Sequence, residues 1–197
     1  MERNINFYGA CIFILAILSA CSTGKKESST NVTSALKDKQ SQNVKSDVAL
    51  LINKLVTAFA DEWMASYQYW MAAKLVQGEL RSQVVKELIE HYNDEMRHAD
   101  MIAKRLIELN GDFRMFPQDW HKIGGCHYDS ITESSVISVL NENIKGEQCA
   151  IDFYQNLLEM VKGKDEKTYS IILEILNDEI KHKKDLQELH QALPILK

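Results

Sequence analysis

The stretch DEMRH at residues 94–98 is repeated, with conservative changes, as DEIKH at residues 178–182. In each stretch a glutamate stands three positions before a histidine, which gives the pairs Glu95 with His98 and Glu179 with His182. Residues three apart lie about 60° from each other around an α-helix, so each pair points at one spot. Apolar residues recur around both pairs at spacings of three and four, which is typical of a helix packed in a bundle.

A further glutamate precedes each stretch at a matching distance. Glu62 lies 33 residues before Glu95, and Glu147 lies 32 residues before Glu179. Two similar helical hairpins are therefore predicted, facing each other about a pseudo-twofold axis. A buried, unpaired carboxylate is unfavourable by several kcal/mol unless it stays neutral, so four of them on apolar seams require a compensating cation. The predicted metal ligands are Glu62, Glu95, His98, Glu147, Glu179 and His182.

Helix breakers are scarce in the 197-residue chain, which contains two prolines and eight glycines. An all-α structure is therefore favoured. The expected helices run from about 47 to 78, from 80 to 110, from a capping box at Ser130 and Glu133 to Gly163, and from 165 to 192. Two short turns and a long crossing segment at about 112–131 predict a four-helix bundle with one long crossover.

Four glutamates and two histidines converging in a bundle core are the set that a di-iron or di-manganese carboxylate site requires. Mixed carboxylate and imidazole ligands favour iron or manganese over a structural zinc site. The alternative is solvated charge on amphipathic helices. Single matches of that kind arise by chance, but six matches in register do not.

The first twenty residues differ in composition from the rest of the chain. Residues 7–18 are almost wholly apolar, and this run suits the central part of a signal peptide better than a membrane span. Residues 18–21 read LSAC, which resembles the lipobox of bacterial lipoproteins. The resemblance implies an exported protein anchored to the bacterial cell membrane by lipid on Cys21. An ordinary signal peptide with an incidental cysteine is the alternative.

The organisation predicted from these features has three parts. A signal peptide occupies residues 1–20, and a flexible tether rich in Ser, Thr, Lys, Asn and Gln occupies residues 21–46. The folded domain is expected at 47–197. The net charge of −5 makes the chain a poor match for a polyanion, so no nucleic-acid partner is expected.

Residues 47–192 resemble the ferritin-like superfamily, in particular bacterioferritin and the Dps-like proteins called thioferritins. The six predicted ligands match the ferroxidase ligands of bacterioferritin position by position. The resemblance implies two iron ions, with manganese as the alternative metal, held by bridging carboxylates at Glu95 and Glu147. The terminal ligands would be Glu62 with His98 and Glu179 with His182. The resemblance also implies oxidation of Fe(II) by O2 or H2O2 and storage of ferric mineral inside a hollow homo-oligomeric shell.

Two departures from bacterioferritin favour the Dps-like group. The chain ends soon after the fourth helix, whereas bacterioferritin adds a fifth, and this points to a shell of twelve subunits. Cys126 and Cys149 resemble the cysteine pair of thioferritins. Because an exported protein meets oxidising conditions, a disulfide is favoured over two inert buried thiols.

Several neighbouring residues carry open alternatives. Tyr69 is either an electron donor during oxygen reduction or a core tyrosine bonded to a ligand carboxylate, and Tyr154 is expected in the core. Asp94 and Asp178 either orient the ligand histidines or lie on the helix surface. His91 is expected at the surface, with iron guidance as the alternative.

Haem is not expected. Met96 matches the position that ligates haem in bacterioferritin, but a methionine beside a core motif is usually packing. Two rival functions keep the predicted site. One is a di-iron or di-manganese peroxidase that forms no cage and resembles rubrerythrin, and the other is a non-enzymatic surface module stabilised by metal.

Overall fold

The computed structural model describes residues 28–126, 128 and 131–193. Two compact units divide the chain between Ser41 and Gln42, and the helical bundle lies in the second. Across the described residues there are helices and no strand, apart from a single bridge between Gln77 and Ser135. The helices are α1 (Ser28–Leu75), α2 (Arg81–Glu108), α3 (Pro117–Ile123), α4 (Val136–Val161) and α5 (Glu166–Ala192). The predicted all-α, four-helix architecture with one long crossover is confirmed, with α3 as a short addition in the crossover.

The first helix begins earlier than the sequence predicted. Its backbone is helical from Ser28, whereas the expected start was near residue 47 and a flexible chain was expected before it. Residues 28–46 contain no glycine or proline, so nothing in this polar stretch breaks a helix. Side chains 39–50 are exposed, as their composition indicates. The signal segment and Cys21 lie outside the described residues, and no described helix is long and apolar enough to cross a bilayer.

The start of α4 also differs from the prediction. Its N-cap is Ser135, whose hydroxyl accepts a hydrogen bond from the backbone N–H of Ser138 at 3.2 Å. The capping box expected at Ser130 and Glu133 is therefore wrong, because the helix begins three residues after Glu133. A serine at the true cap satisfies one of the free N–H groups of the first turn.

Two apolar clusters fill the bundle, and the predicted ligands lie between them. Along α1, Leu55 belongs to the first cluster and Ala72 to the second, with Glu62 between them. In the other long helices a predicted ligand glutamate also lies between the two clusters, with the clusters in the same order along α5 and in the reverse order along α2 and α4. Burying a large aliphatic side chain stabilises a fold by about 1.5–3 kcal/mol, so the two clusters can hold a polar layer that is unfavourable by itself.

The crossover is fixed to the bundle at several points. The Asp61 carboxylate accepts hydrogen bonds from the backbone N–H groups of Gly125 and Cys126, at 2.9 and 3.1 Å. The rings of Trp63 and Trp120 stack with their centroids 5.5 Å apart. These contacts hold the segment after α3 against α1 beside the polar layer.

Candidate metal centre

All six predicted ligands lie together in the polar layer. Each side chain is at most 3% exposed. Their nitrogen and oxygen atoms form two overlapping groups that could each hold a metal ion, and some of the six residues belong to both groups. The His98 group consists of His98, Glu62, Glu95 and Glu179, and the His182 group consists of His182, Glu147, Glu95 and Glu179.

In both histidines, Nδ1 is the nitrogen that faces the glutamates. In the His98 group, Nδ1 lies 3.4 Å from Glu62 Oε2, 3.1 Å from Glu95 Oε2 and 3.2 Å from Glu179 Oε1. In the His182 group, Nδ1 lies 3.3 Å from Glu95 Oε1, 3.5 Å from Glu179 Oε2 and 3.8 Å from Glu147 Oε1. Separations of this size are those of neighbouring ligands around one metal ion.

Glu95 and Glu179 are shared between the two groups. Each directs one carboxylate oxygen towards His98 and the other towards His182. The expected bridging pair of Glu95 and Glu147 is therefore wrong for Glu147, which belongs to the His182 group and not to the His98 group, and Glu179 is shared rather than terminal. The reason is the repeat itself, because the pseudo-twofold axis relates Glu95 to Glu179 and leaves Glu62 and Glu147 as the outer pair.

The outer nitrogens of the two histidines meet aspartates in a crossed arrangement. His98 Nε2 lies 3.2 Å from Asp178 Oδ2, and His182 Nε2 lies 3.3 Å from Asp94 Oδ2. Arg97 contacts both aspartates, at 2.6 Å to Asp178 and 3.2 Å to Asp94. Such carboxylates fix the orientation of a ligand imidazole and place the proton on the outer nitrogen, which leaves Nδ1 available to a metal.

Two tyrosines bond to the outer glutamates across the hairpins. The Tyr69 hydroxyl donates to Glu147 Oε1, and the Tyr154 hydroxyl donates to Glu62 Oε1. Tyr154 is in the core as expected, but it is also the symmetry partner of Tyr69. Both tyrosines therefore contact ligands directly.

The electrostatics of the centre are those of a site that holds protons where metal ions would bind. Burial raises the pKa of Glu62 and Glu147, and neighbouring carboxylates raise it further. Burial lowers the pKa of His182 and His98, but the surrounding glutamates outweigh it, so the pKa of His182 rises to about 12 and that of His98 is also raised. Burial raises the pKa of Glu179, but the two histidines outweigh it and lower it overall.

The donor set fits two divalent ions. Several buried ligand atoms make no hydrogen bond within the described part of the chain: Glu62 Oε2, Glu95 Oε1, Glu147 Oε2, Glu179 Oε1 and His182 Nδ1. Four carboxylates balance the charge of two divalent cations. Buried polar atoms without partners are rare in proteins, and here they converge where ions would sit.

His91 is buried, which the sequence prediction of a surface histidine missed. Its ring stacks on that of His182 with centroids 4.1 Å apart. Burial, His182 and Lys181 lower the pKa of His91 to about 2. The position was detectable in the sequence, because His91 lies four residues before Glu95 on the same helical face.

Cys126 and Cys149 form a disulfide that joins the crossover to α4, with their Cα atoms 5.7 Å apart. Cys126 lines a small cavity together with Glu62, Glu95 and Glu179. The disulfide therefore lies next to the candidate centre. Its pairing follows from Asp61 holding the backbone of Cys126, a contact over 65 residues that no local pattern reveals.

Comparison with known proteins identifies the family of the fold. The model of the ferritin-like domain matches residues 52–196. The chain belongs to the ferritin-like family. Its sequence is 29% identical over 150 residues to the DNA protection during starvation protein of Pyrococcus furiosus, a match covering 75% of this chain and 80% of that protein.

Solved ferritin-like structures give the same result. A dodecameric thioferritin of Bacteroides fragilis, described as related to bacterioferritin, has a TM-score of 0.74 and 40% identity, covering 76% of this chain and 89% of that one. Dps of Thermosynechococcus elongatus has a TM-score of 0.68 and 18% identity, covering 73% and 92%, and this likeness shows the fold alone. Family membership supports an iron-storage and ferroxidase type of function in general terms.

Proposed function

We propose that this ferritin-like protein is a ferroxidase that binds two Fe(II) ions as substrate between its hairpins and oxidises them. The observation that carries the proposal is the sharing of Glu95 and Glu179, each of which offers one oxygen to the His98 group and one to the His182 group. A shared carboxylate holds two metal ions close together, so that they can deliver electrons to one oxidant.

The oxidant is O2 or H2O2. Two Fe(II) ions lose one electron each, and these two electrons with two protons reduce one H2O2 to two waters or one O2 to H2O2. Protons that the ligands release when metal binds are a local source for this step, since metal binding and ligand protonation are coupled. Manganese in the same ligand set would instead support peroxidase chemistry.

The ferric product is proposed to be stored in a homo-oligomeric shell. The thioferritin of Bacteroides fragilis is described as dodecameric, and its 40% identity to this chain supports the same assembly here. The net charge of −5 matches a polyanion poorly, so the proposal includes no nucleic-acid partner despite the name of the Pyrococcus relative. Lipid on Cys21 is proposed to tether the exported protein to the bacterial cell membrane, on its periplasmic or outer-surface side.

The test uses the full chain purified in detergent without metal. Fe(II) is added without oxygen, then O2 or H2O2, and the ferric absorbance is followed. Rapid oxidation saturating near two iron ions per chain is expected, with slower uptake beyond that ratio if a shell stores mineral. Sizing of the same sample should give a particle of about twelve subunits, as in the thioferritin.

Matched variants separate the site from general effects of charge. Glu95→Gln removes a shared carboxylate and should abolish rapid oxidation, whereas Glu188→Gln changes an exposed carboxylate paired with Lys184 and should behave as the wild type. If the chain bound metal but oxidised Fe(II) no faster than buffer does, the non-enzymatic module stabilised by metal would be the supported function. Peroxide turnover by a small particle would favour the peroxidase without a cage.

A further inference from the structure

His91 carries two ring nitrogens that the metal centre does not use. Its side chain is 0% exposed, and neither nitrogen makes a hydrogen bond within the described residues. Nε2 lies 3.3 Å from Glu87 Oε1 and 3.9 Å from Asp185 Oδ2. A buried imidazole without a hydrogen bond is unfavourable unless something binds it.

We propose that Glu87, His91 and Asp185 form a third metal site, which takes one divalent transition-metal ion. Bond lengths of about 2.0–2.2 Å from a metal to nitrogen or oxygen place neighbouring ligands roughly 3.0–3.4 Å apart. The Glu87–His91 separation already meets this range, and Asp185 needs a shift of a few tenths of an ångström. Both carboxylates are partly exposed, at 21% and 24%, so they are free to make that adjustment and to leave positions for water.

The ligand types choose the class of ion. One imidazole with two carboxylates suits Fe(II), Mn(II) or Zn(II), whereas Ca²⁺ and Mg²⁺ take oxygen ligands alone. Glu87 and His91 are one turn apart on α2, and Asp185 comes from α5, so the site ties two helices together.

The pseudo-twofold repeat does not explain these three residues. The 84-residue offset that relates Glu95 to Glu179 places their equivalents at Ile171, Ile175 and Met101. These are all apolar, and they lie in or against the first hydrophobic cluster. The three polar residues are thus an addition on one side of the molecule.

One cationic side chain competes for the site. Lys181 Nζ lies 2.7 Å from Asp185 Oδ2, one turn away on α5. The lysine side chain is 55% exposed, so its ammonium group can swing into solvent when a metal ion binds. Lys181→Met should therefore strengthen binding of the third ion.

The position of the third site suggests its role, which rests on the proposed ferroxidase function. His91 also forms a cluster with Glu147 and His182, in which one ligand atom from each lies within 4.8 Å of the others. Glu87 and Asp185 are at the partly exposed end, and His182 is at the buried end. A metal ion at this site would bind His91, whose ring stacks on that of His182 in the proposed dinuclear centre. The ion would therefore lie between that centre and the partly exposed side chains of Glu87 and Asp185.

The test is a titration of the metal-free full chain with Co(II), in the absence of oxidant, followed by anomalous diffraction at the cobalt edge. Wild type should bind three ions per chain, one of them between Glu87, His91 and Asp185. Asp185→Asn should bind two and lose only that peak, and Lys181→Met should bind the third ion more tightly. Glu188→Gln, an exposed carboxylate nearby on α5, should bind three.

A second variant separates failure of this site from failure of the dinuclear centre. The double variant Glu95→Gln and Glu179→Gln should lose the two ions of the dinuclear centre and keep the ion at His91. Two ions in wild type, with no peak at His91, would overturn the third site and leave the ferroxidase proposal standing. A single ion bound at His91 would support the third site and overturn the ferroxidase proposal. If the chain bound no cobalt, both proposals would be overturned.

Discussion

The two flanks of the proposed dinuclear centre occupy equivalent positions in the repeat and differ in chemistry. The polar flank is Glu87, His91 and Asp185, and the apolar flank is Ile171, Ile175 and Met101. At the central position, His91 stacks on the ligand His182, whereas Ile175 is buried in an aliphatic cluster. The six predicted ligands follow the repeat, whereas the residues of the two flanks do not.

This difference separates what the dinuclear centre needs from what was added to it. Replacing a buried isoleucine by a histidine loses about 1.5–3 kcal/mol of apolar burial, so the polar flank is not the more stable choice. Two like hairpins suffice to bring the ligands together. The polar flank is best explained by a ligand of its own.

The largest effect is expected from replacing Glu179, which faces both the His98 group and the His182 group. Glu179→Gln replaces one carboxylate oxygen by an NH2 group and removes the negative charge that the His98 group and the His182 group share, so both ions should be lost and Fe(II) oxidation should fall at least ~100-fold. Glu62→Gln touches the His98 group alone and should leave one ion bound. Metal content per chain after dialysis distinguishes the two variants.

The exposed Glu159, which pairs with Lys162, provides the control for this comparison as Glu159→Gln. It should retain both ions and the wild-type rate. If Glu62→Gln emptied both positions, or Glu179→Gln kept one, the assignment of Glu179 as a shared ligand would be wrong.

The sequence was sufficient to predict which six side chains lie together, and insufficient to predict which of them the two groups share. Two Glu-x-x-His motifs and two further glutamates at matching offsets, all on apolar seams, predicted the six residues, because burial of a carboxylate leaves a recognisable break in helical periodicity. The error on Glu147 arose from matching a family rather than from following the repeat, which relates Glu95 to Glu179. His91 was missed because Tyr92, its neighbour, also fits the apolar spacing of α2.

Other features could not be predicted, for physical reasons. Asp61 binds the backbone of Gly125 and Cys126 across more than sixty residues, and such a contact exists only once the crossover is folded. The helical conformation of 28–46 also had no signal, since its side chains from residue 39 are exposed and no apolar periodicity records the helix.

A smaller effect concerns the two stacked imidazoles, which respond to pH in opposite directions. In the folded, metal-free chain the pKa of His182 is raised to about 12, so between about pH 6.5 and 12 the folded state keeps a proton that the unfolded state has lost. Stability should fall as pH rises through this window, by about 1.4 kcal/mol per pH unit for one such group. Raised pKa values at His98, Glu62 and Glu147 act in the same direction above pH 6.5.

His91 contributes the opposite slope on the acid side. Its pKa is lowered to about 2, so below about pH 6.5 the unfolded state binds a proton that the folded state does not, and stability falls as pH falls. Chemical denaturation of the metal-free chain from pH 4 to 9 measures both slopes. Below pH 6.5 the raised pKa values of Glu62 and Glu147 act against this contribution, so it is measured as the difference between variant and wild type. Relative to wild type, His91→Asn should gain stability as the pH falls from 6.5 to 4 and should keep the same alkaline slope. Bound Zn(II) should flatten the alkaline slope. A metal-free chain that gained stability from pH 7 to 9 would contradict the charge assignment.

The smallest effect is expected from replacing the two tyrosines, which are equivalent in the repeat but lie beside different flanks. Tyr69 and Tyr154 each donate to an outer glutamate, so Tyr69→Phe and Tyr154→Phe should each destabilise the fold by about 1 kcal/mol. Their surroundings differ, because the Tyr69 ring meets the edge of His91 at 5.2 Å, whereas Tyr154 packs in the cluster that contains Ile175.

If Tyr69 supplies an electron during oxidation, Tyr69→Phe should slow a single turnover of Fe(II) several-fold beyond Tyr154→Phe, at equal loss of stability. Stopped-flow absorbance with matched denaturation curves measures both quantities. If both variants were slowed equally, each tyrosine would contribute to the oxidation rate only through the hydrogen bond from its hydroxyl to the glutamate. In that case the flanks would differ in what they bind and not in how the dinuclear centre reacts.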